Sequence, residues 1–321
     1  MRAADGEGTP WRVFAQEAEA RFAAVGIESP EVSVRRIIER AAGFDGAEYA
    51  LGLAEPASER AMGFFDAMVE RRLAGEPLQY VLGEWSFRTL DLMVDRRVLI
   101  PRPETEQVVE FALEELDALA AESPRVADLG TGSGAIALSV AVERPAARVW
   151  AGDVSADALA VARANLAGIG HAGTRVTLVE GSWFDALPRD LQGTLDLVIS
   201  NPPYVAAADP LPAEVADWEP VGALVPGPTG LEAIEEIVAG APVWLRRPAA
   251  LVVELAPSQA DDAIARAHAA GFADAHVAPD LTGRPRALVA RLGEEAQAPS
   301  SSSAQEATTR RTLRRERWPG A

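Results

Sequence analysis

Asn201-Pro202-Pro203-Tyr204 follows the apolar run Leu195-Asp196-Leu197-Val198-Ile199 after one residue, Ser200. The run predicts a buried strand, which places the tetrapeptide at a strand end. Each proline holds φ near about −65° and gives up its N–H. The residue before a proline is pushed toward extended geometry. A loop this stiff presents the Asn201 side chain and the Pro202 carbonyl as two hydrogen-bond acceptors, with Pro203 and Tyr204 beside them. Two fixed acceptors suit a planar NH2 group, either an amide or an exocyclic amine. The lone pair of such a nitrogen is delocalised, so it reacts only when held in line with a strong electrophile, such as an activated methyl group.

A second set of residues suits a cofactor. In Val126-Ala127-Asp128-Leu129-Gly130-Thr131-Gly132-Ser133-Gly134-Ala135 a predicted strand runs into a glycine-rich turn and then a helix. Glycines there let the backbone approach a ligand closely. Gly130, Gly132 and Ala135 satisfy the spacing of a dinucleotide fingerprint, with Asp153 where a ribose-binding acid belongs. A nicotinamide dehydrogenase therefore competes with a methyltransferase. Asp128, just ahead of the loop, separates the two. A carboxylate beside a pyrophosphate costs about 1 kcal/mol or more even in water. S-adenosylmethionine carries no phosphate and two positive groups, so an acid at that point favours it. Asp153 is then expected to accept from ribose hydroxyls, with helix capping as its structural alternative. Trp183, in Gly181-Ser182-Trp183-Phe184, is placed to cover the adenine, or else to serve as a core aromatic.

The elements that must hold these residues are readable from their periods. Trp11 to Val25 has helical spacing, Ser29-Pro30-Glu31 reads as a helix start, and Ser58 as the cap of a helix running to about Ala74. From Tyr80 to Ile100 the pattern shortens. Phe87, Leu90, Leu92 and Val94 predict short strands and Val98-Leu99-Ile100 another, with Asp95-Arg96-Arg97 as the turn. Beyond Pro101 strands and helices alternate. The strands are Val126–Leu129, Val149–Asp153, Val176–Val179, Leu195–Ser200, Leu251–Leu255 and Ala287–Arg291. The helices are Glu106–Leu119, Ala135–Val142, Ala156–Leu166, Leu231–Val238 and Gln259–Ala270. Alternation of this kind implies an α/β fold with a mostly parallel sheet that binds ligands beyond its carboxyl ends. The expected layout is a helical domain over 1–76, a β-hairpin linker over 77–100, a catalytic domain over 101–293 and a disordered tail over 294–321. The tail carries Ser300–Ser303 and the cluster Arg310, Arg311, Arg314, Arg315, Arg317, read as a solvated end.

Composition narrows the classes. The chain has 321 residues, a net charge of −18 and no lysine, which argues against tight sequence-independent nucleic-acid binding. With no cysteine and three scattered histidines, thiol chemistry is excluded and a metal site is not expected. No apolar run approaches the ~18 residues of a membrane span. Met1-Arg2-Ala3-Ala4-Asp5 has no signal-peptide layout, so cytoplasmic residence without a membrane partner is the expectation.

Taken together, these blocks resemble the class I S-adenosylmethionine-dependent methyltransferases. Among those the chain is most similar to the bacterial peptide-chain release factor glutamine methyltransferases, the HemK/PrmC family. Further blocks carry the resemblance: Pro77-Leu78-Gln79-Tyr80-Val81-Leu82-Gly83, Ile100-Pro101-Arg102-Pro103-Glu104-Thr105-Glu106, Trp183-Phe184, Glu219-Pro220 and Ala223-Leu224. It implies a Rossmann-like seven-stranded sheet with an antiparallel last strand, preceded by a helical bundle that helps to hold the substrate. The implied substrate is the glutamine of the Gly-Gly-Gln loop of release factors, and the implied product N5-methylglutamine, supporting translation termination. Asn201 and the Pro202 carbonyl would accept from the glutamine amide, and Tyr204 would shape its pocket. Gly130 to Gly134, Asp153 and Trp183 would hold S-adenosylmethionine. Arg102 and Glu104 would stand near the methionine end or the pocket mouth, with an interdomain ion pair as the structural alternative. Two positions depart from the family pattern: Ala256 in Glu254-Leu255-Ala256 replaces a glycine, and Arg284-Pro285 precedes Arg286 where an acid is usual. Both are expected to lie away from the chemistry. Alternatives are a ribosomal-protein glutamine methyltransferase, a nucleic-acid amino-methyltransferase acting on adenine N6 or guanine N2, and a non-catalytic module.

Overall fold

The computed structural model describes residues 8–294; the serine run and arginine cluster of the tail lie outside the described residues. Five helices come first: α1 (Trp11–Ala24), α2 (Pro30–Ala42), α3 (Glu48–Gly52), α4 (Glu59–Leu73) and α5 (Leu78–Leu82). Ser58 caps α4 by accepting from the Ala61 N–H at 3.3 Å, and Pro30 opens α2. Trp11 and Phe22 of α1 pack with Val34, Ile37 and Ile38 of α2 and with Phe65 and Val69 of α4 in one buried cluster. α3 and α5 are five residues each, too short to leave a readable period.

The connecting hairpin is shorter than its sequence suggests. β1 (Glu84–Phe87) and β2 (Leu90–Met93) pair antiparallel, with Phe87 opposite Leu90. The turn between them is Arg88-Thr89, not Asp95-Arg96-Arg97, and Val98-Leu99-Ile100 forms no strand. Arg88 adopts a left-handed φ of 52° that sends its guanidinium onto Glu143 at 2.6 Å and Glu110 at 2.7 Å. These long-range ion pairs set the turn, and a local strand propensity does not reveal them. Val94, Val98 and Ile100 are buried all the same, packed with Tyr80 against Ala158 and Val161. Their apolar spacing reports a loop pinned to the next domain.

The remaining elements are α6 (Pro103–Leu119), β3 (Arg125–Leu129), α7 (Ala135–Glu143), β4 (Arg148–Asp153), α8 (Ala156–Gly168), β5 (Val176–Glu180), β6 (Leu195–Ser200), α9 (Ala213–Trp218), α10 (Glu232–Trp244), β7 (Leu245–Glu254), α11 (Ala260–Ala269), β8 (Asp274–Pro279) and β9 (Pro285–Leu292). The seven strands from β3 onward form one sheet in the order β5-β4-β3-β6-β7-β9-β8, with β9 antiparallel to both neighbours. Both faces are covered, so the strands are apolar at consecutive positions. Val126, Leu197, Ile199 and Val252 face a core shared with α6 and α7. Ala127, Val198, Leu251 and Val253 face one shared with α10 and α11. β8 escapes the sequence reading because it is an edge strand in which Ala278 alone is buried. α10 runs through Gly240 and Pro242 to Trp244, past the Val238 expected as its end.

This topology explains where the chemistry gathers. The strand order reverses between β3 and β6, and the chain leaves β3, β4, β5 and β6 at the same edge. The glycine loop, Asp153, Trp183 and Asn201 all follow those carboxyl ends, the place where an open α/β sheet leaves a crevice.

Candidate active site

On the β3 side the loop is held by its own neighbourhood. The N–H groups of Gly130 and Thr131 both donate to the Gly152 carbonyl at 2.9 Å, and that of Gly134 to Thr131 at 2.8 Å. Gly132 donates to Asp153 Oδ2 at 2.9 Å, and Ser155 to Asp153 Oδ1 at 2.9 Å. Asp153 thus fastens the loop and the start of α8 together, and each of its oxygens keeps a lone pair for a further donor. Asp128 lies beneath, 0% exposed, accepting from the Thr131 hydroxyl at 2.6 Å and the Ala137 N–H at 3.1 Å. Burial pushes its pKa up to about 7 against those two hydrogen bonds. Trp183 has a φ of 42°, a left-handed conformation that costs a bulky residue about 1–3 kcal/mol. Its ring comes so close to Gly130 that a Cβ there would stand 3.3 Å from the indole, and Gly130 is itself at φ +75°. No other residue fits that turn without strain.

On the β6 side the loop is held from far away. Asn201 Nδ2 donates to Thr105 Oγ1 at 3.1 Å. Thr105 Oγ1 donates to Glu254 Oε2 at 2.7 Å, and the Tyr204 hydroxyl donates to Glu254 Oε1 at 3.2 Å. Glu254, at the end of β7, is 0% exposed, and burial pushes its pKa up to about 7 against the pull of Thr105, the Arg286 charge and Tyr204. The same burial, with Glu254 beside it, raises the Tyr204 phenol well above its usual range, so it stays a donor. Gln259 Nε2 bridges the carbonyls of Tyr204 and Gly230, both at 3.0 Å, while its Oε1 accepts from the Ala256 N–H at 3.0 Å. A Cβ on Gly230 would lie 2.5 Å from the Tyr204 carbonyl oxygen, so the two loops touch backbone to backbone. Arg102 pairs with buried Glu219, which also accepts from the Ile100 N–H at 3.1 Å.

Two cavities meet at this edge. The larger, about 590 Å³, runs past Gly130, Gly132, Asp153 and Trp183 to Asn201 and Pro203. The smaller, about 140 Å³, is lined by Arg102, Asn201, Pro202 and Tyr204 among others. Asn201, Leu99 and Ala223 line both, so the asparagine stands at their junction.

Known proteins match this architecture. The PrmC N-terminal domain model matches residues 15–83 and the Methyltransferase small domain model residues 106–214. A release factor glutamine methyltransferase of Cereibacter sphaeroides is 40% identical over 294 residues, 91% of this chain and 99% of that protein. One from Moorella thermoacetica is 42% identical over 282 residues, 87% of this chain and 97% of that protein. The chain belongs to the release factor glutamine methyltransferase family. Among solved structures, the hMettl16 catalytic domain in complex with MAT2A 3′UTR hairpin 6 has a TM-score of 0.50 at 13% identity. The match covers 75% of this chain and 85% of that one, and shows the fold alone.

Membership in the release factor glutamine methyltransferase family makes the chain a methyltransferase and decides against the dehydrogenase that the glycine spacing allowed. Most predicted site residues converge on the two cavities, with five exceptions, of which Gly134 opens α7 behind the loop against Leu138. Asp128, Thr131 and Ser133 are buried under the loop rather than exposed in the cavity wall, because the turn of three glycines folds their side chains inward. Asp128 therefore shapes the loop from below and does not face a bound cofactor. Glu104, in the first turn of α6, lines neither cavity and acts on Glu254 only through its charge. Arg102 does reach the smaller cavity, while also forming the ion pair offered as its alternative, with Glu219. Of the two departures expected to lie away from the chemistry, Arg284-Pro285 lines neither cavity, while Ala256 sits beside residues that back the Asn201 loop. Glu254 and Gln259 bond Tyr204 of the Asn201 loop directly, Ala256 acts only by donating its N–H to Gln259, and the Arg286 charge acts on Glu254 and Tyr204. Thr105, Glu254, Gln259 and Glu232, the last in the larger cavity wall, are not among the site residues the sequence reading singles out. Buried polar residues inside otherwise apolar runs, as in Val252-Val253-Glu254-Leu255, are the signal that marks such positions.

Proposed function

We propose that this methyltransferase binds S-adenosylmethionine in the larger cavity and methylates the side-chain amide of a protein glutamine held in the smaller one. The relatives are named release factor glutamine methyltransferases, and we take the glutamine to be that of the Gly-Gly-Gln loop of these factors. One observation supports the cofactor above others. The loop amides a pyrophosphate would need are spent internally, with Gly130, Thr131, Gly132 and Gly134 all donating within the protein. A phosphate-free ligand with ribose hydroxyls fits that loop, because Asp153 still has lone pairs to accept them. Gly130 and Gly132 leave room beside the Trp183 ring for an adenine. When bound, the cofactor supplies an electrophilic methyl group on a sulfonium.

The chain's own residues do the rest by orientation. Asn201 Oδ1 and the Pro202 carbonyl accept from the two amide hydrogens, holding the nitrogen at the cavity junction and its lone pair out of conjugation. Pro203 and Tyr204 bound the pocket, and Arg102 stands at its wall. The smaller cavity has no carboxylate or imidazole among its lining residues, so the surplus proton leaves after transfer, when the nitrogen has become strongly acidic. Placement of this kind is worth about 7 kcal/mol or more of the barrier. We assign residues 1–76 to docking of the factor, 77–100 to the connection and 101–293 to methyl transfer, in a cytoplasmic protein. Among the described residues no helix is long and apolar enough to cross a membrane.

The test is transfer of labelled methyl from S-adenosylmethionine to a release factor and to the same factor with the Gly-Gly-Gln glutamine replaced. Label confined to the intact factor and mapped to that glutamine is the expected result. Label on ribosomal protein or on RNA instead would overturn the substrate assignment.

A further inference from the structure

Asn201 works as an acceptor only if the right end of its amide faces the cavity junction. Its oxygen accepts from a substrate NH2; its nitrogen would meet that group donor to donor. The two ends have the same shape, so packing alone cannot choose between them. Thr105 can. With Glu254 ionised, the single proton of the Thr105 hydroxyl is directed at Glu254 Oε2, 2.7 Å away. What Thr105 Oγ1 then offers to Asn201 is a lone pair, so the group facing it at 3.1 Å must be the donor Nδ2. Asn201 Oδ1 is left turned to the cavities, with no donor to it among the described residues.

Glu254 is fixed in its turn. Tyr204 donates to its other oxygen, Arg286 on β9 favours its charge, and Glu104 on α6 opposes it. The relay is buried from Thr105 to Glu254. A polar network fully enclosed in this way holds one geometry.

We propose that Thr105, backed by Glu254, is a positioning residue for methyl transfer, holding the Asn201 amide with its oxygen toward the acceptor cavity. It touches neither the cofactor nor the acceptor, and acts only through Asn201. The proposal rests on the functional reading above.

The experiment measures labelled methyl transfer to the release factor for Thr105→Val, Asn201→Ala and the double variant. Thr105→Val keeps the shape and removes the hydroxyl, and should lower kcat by about 10²-fold, the cost of losing a near-attack geometry. KM for the factor and affinity for S-adenosylmethionine should stay close to wild type. On the Asn201→Ala background the same change should cost less than about twofold, because residues acting through one another are not additive. Thr105→Ser restores the hydroxyl and should return kcat to within about threefold of wild type. Thr105→Ala serves as the second hydroxyl-free variant if valine unfolds the protein, as judged by thermal denaturation. A Thr105→Val enzyme at full kcat, a serine variant no faster than it, or effects that multiply in the double variant would each overturn the positioning role while leaving the function intact. A wild-type enzyme that places no label on the glutamine would overturn both.

Discussion

The two loops that meet at the cavity junction are built by opposite strategies. The glycine loop is fastened by residues close in the chain: Thr131 bonds Asp128, Gly132 bonds Asp153, and Gly130 and Thr131 bond Gly152. The Asn-Pro-Pro-Tyr loop is fastened across the fold. Thr105 lies 96 positions from Asn201, Glu254 lies 50 from Tyr204, and Gln259 lies 55 from Tyr204. The glycine loop needs only β3, the turn, α7 and the next strand β4 to take shape. The acceptor loop takes shape only once α6, β7 and the segment after β7 have docked. The shape of the glycine loop is thus made between neighbouring elements, while the aim of Asn201 depends on the assembled sheet.

Substitutions should separate the two strategies. The largest effect is expected for Asn201→Ala, which removes an acceptor aimed at the reacting nitrogen. Its kcat should fall by about 10²–10³-fold, as for loss of one preorganised hydrogen-bonding group. Cofactor affinity, read by calorimetry, should hold within a few-fold; a comparable loss of affinity would mean the two loops are not separable. Gly130→Ala should do the reverse. Its left-handed φ of +75° costs about 1–2 kcal/mol with a side chain, and the added carbon crowds Trp183. Calorimetry should show S-adenosylmethionine binding weakened about tenfold, with kcat at saturation little changed. Gln259→Ala leaves the carbonyls of Tyr204 and Gly230 unbridged, at about 1–3 kcal/mol in thermal unfolding. It should lower kcat about tenfold without weakening cofactor binding; weakened binding would show the acceptor side reaching across the junction.

The smallest effect is one of pH. Asp128 and Glu254 both have folded pKa values raised to about 7 by burial, above the usual carboxylate range. Between the unfolded and folded values the folded state binds more protons, so these groups favour folding at low pH and lose that contribution as pH rises toward 7. Each tenfold change in proton affinity is about 1.4 kcal/mol. The Tm of the ligand-free protein should therefore decline between about pH 4 and pH 7 through these groups and flatten above. Asp128→Asn should reduce that slope without much change in kcat; an unchanged slope would remove Asp128 as its source.

What was readable in the sequence follows the same division. The αβ alternation, the glycine turn, Asp153 and the Asn-Pro-Pro-Tyr strand end are contiguous patterns, and each was placed at the right edge of the sheet from its own residues. The edge strand β8 was not, since with Ala278 alone buried it has no apolar run to betray it. Nor was the hairpin turn, whose left-handed Arg88 is held by Glu110 and Glu143 on helices that follow.

By itself the sequence determined the chemical types present: two acceptors on a proline-stiffened loop, a close-approach turn, and a carboxylate one strand away. Backbone stiffness and residue spacing are local properties, and short stretches of chain carry them. The tertiary structure alone decided that Asp128 supports the loop from below, that Glu254 lies behind the acceptor, and that Asn201 turns its oxygen to the junction. Those outcomes depend on which buried donor finds which acceptor, and such pairs are made only when distant strands and helices close over them.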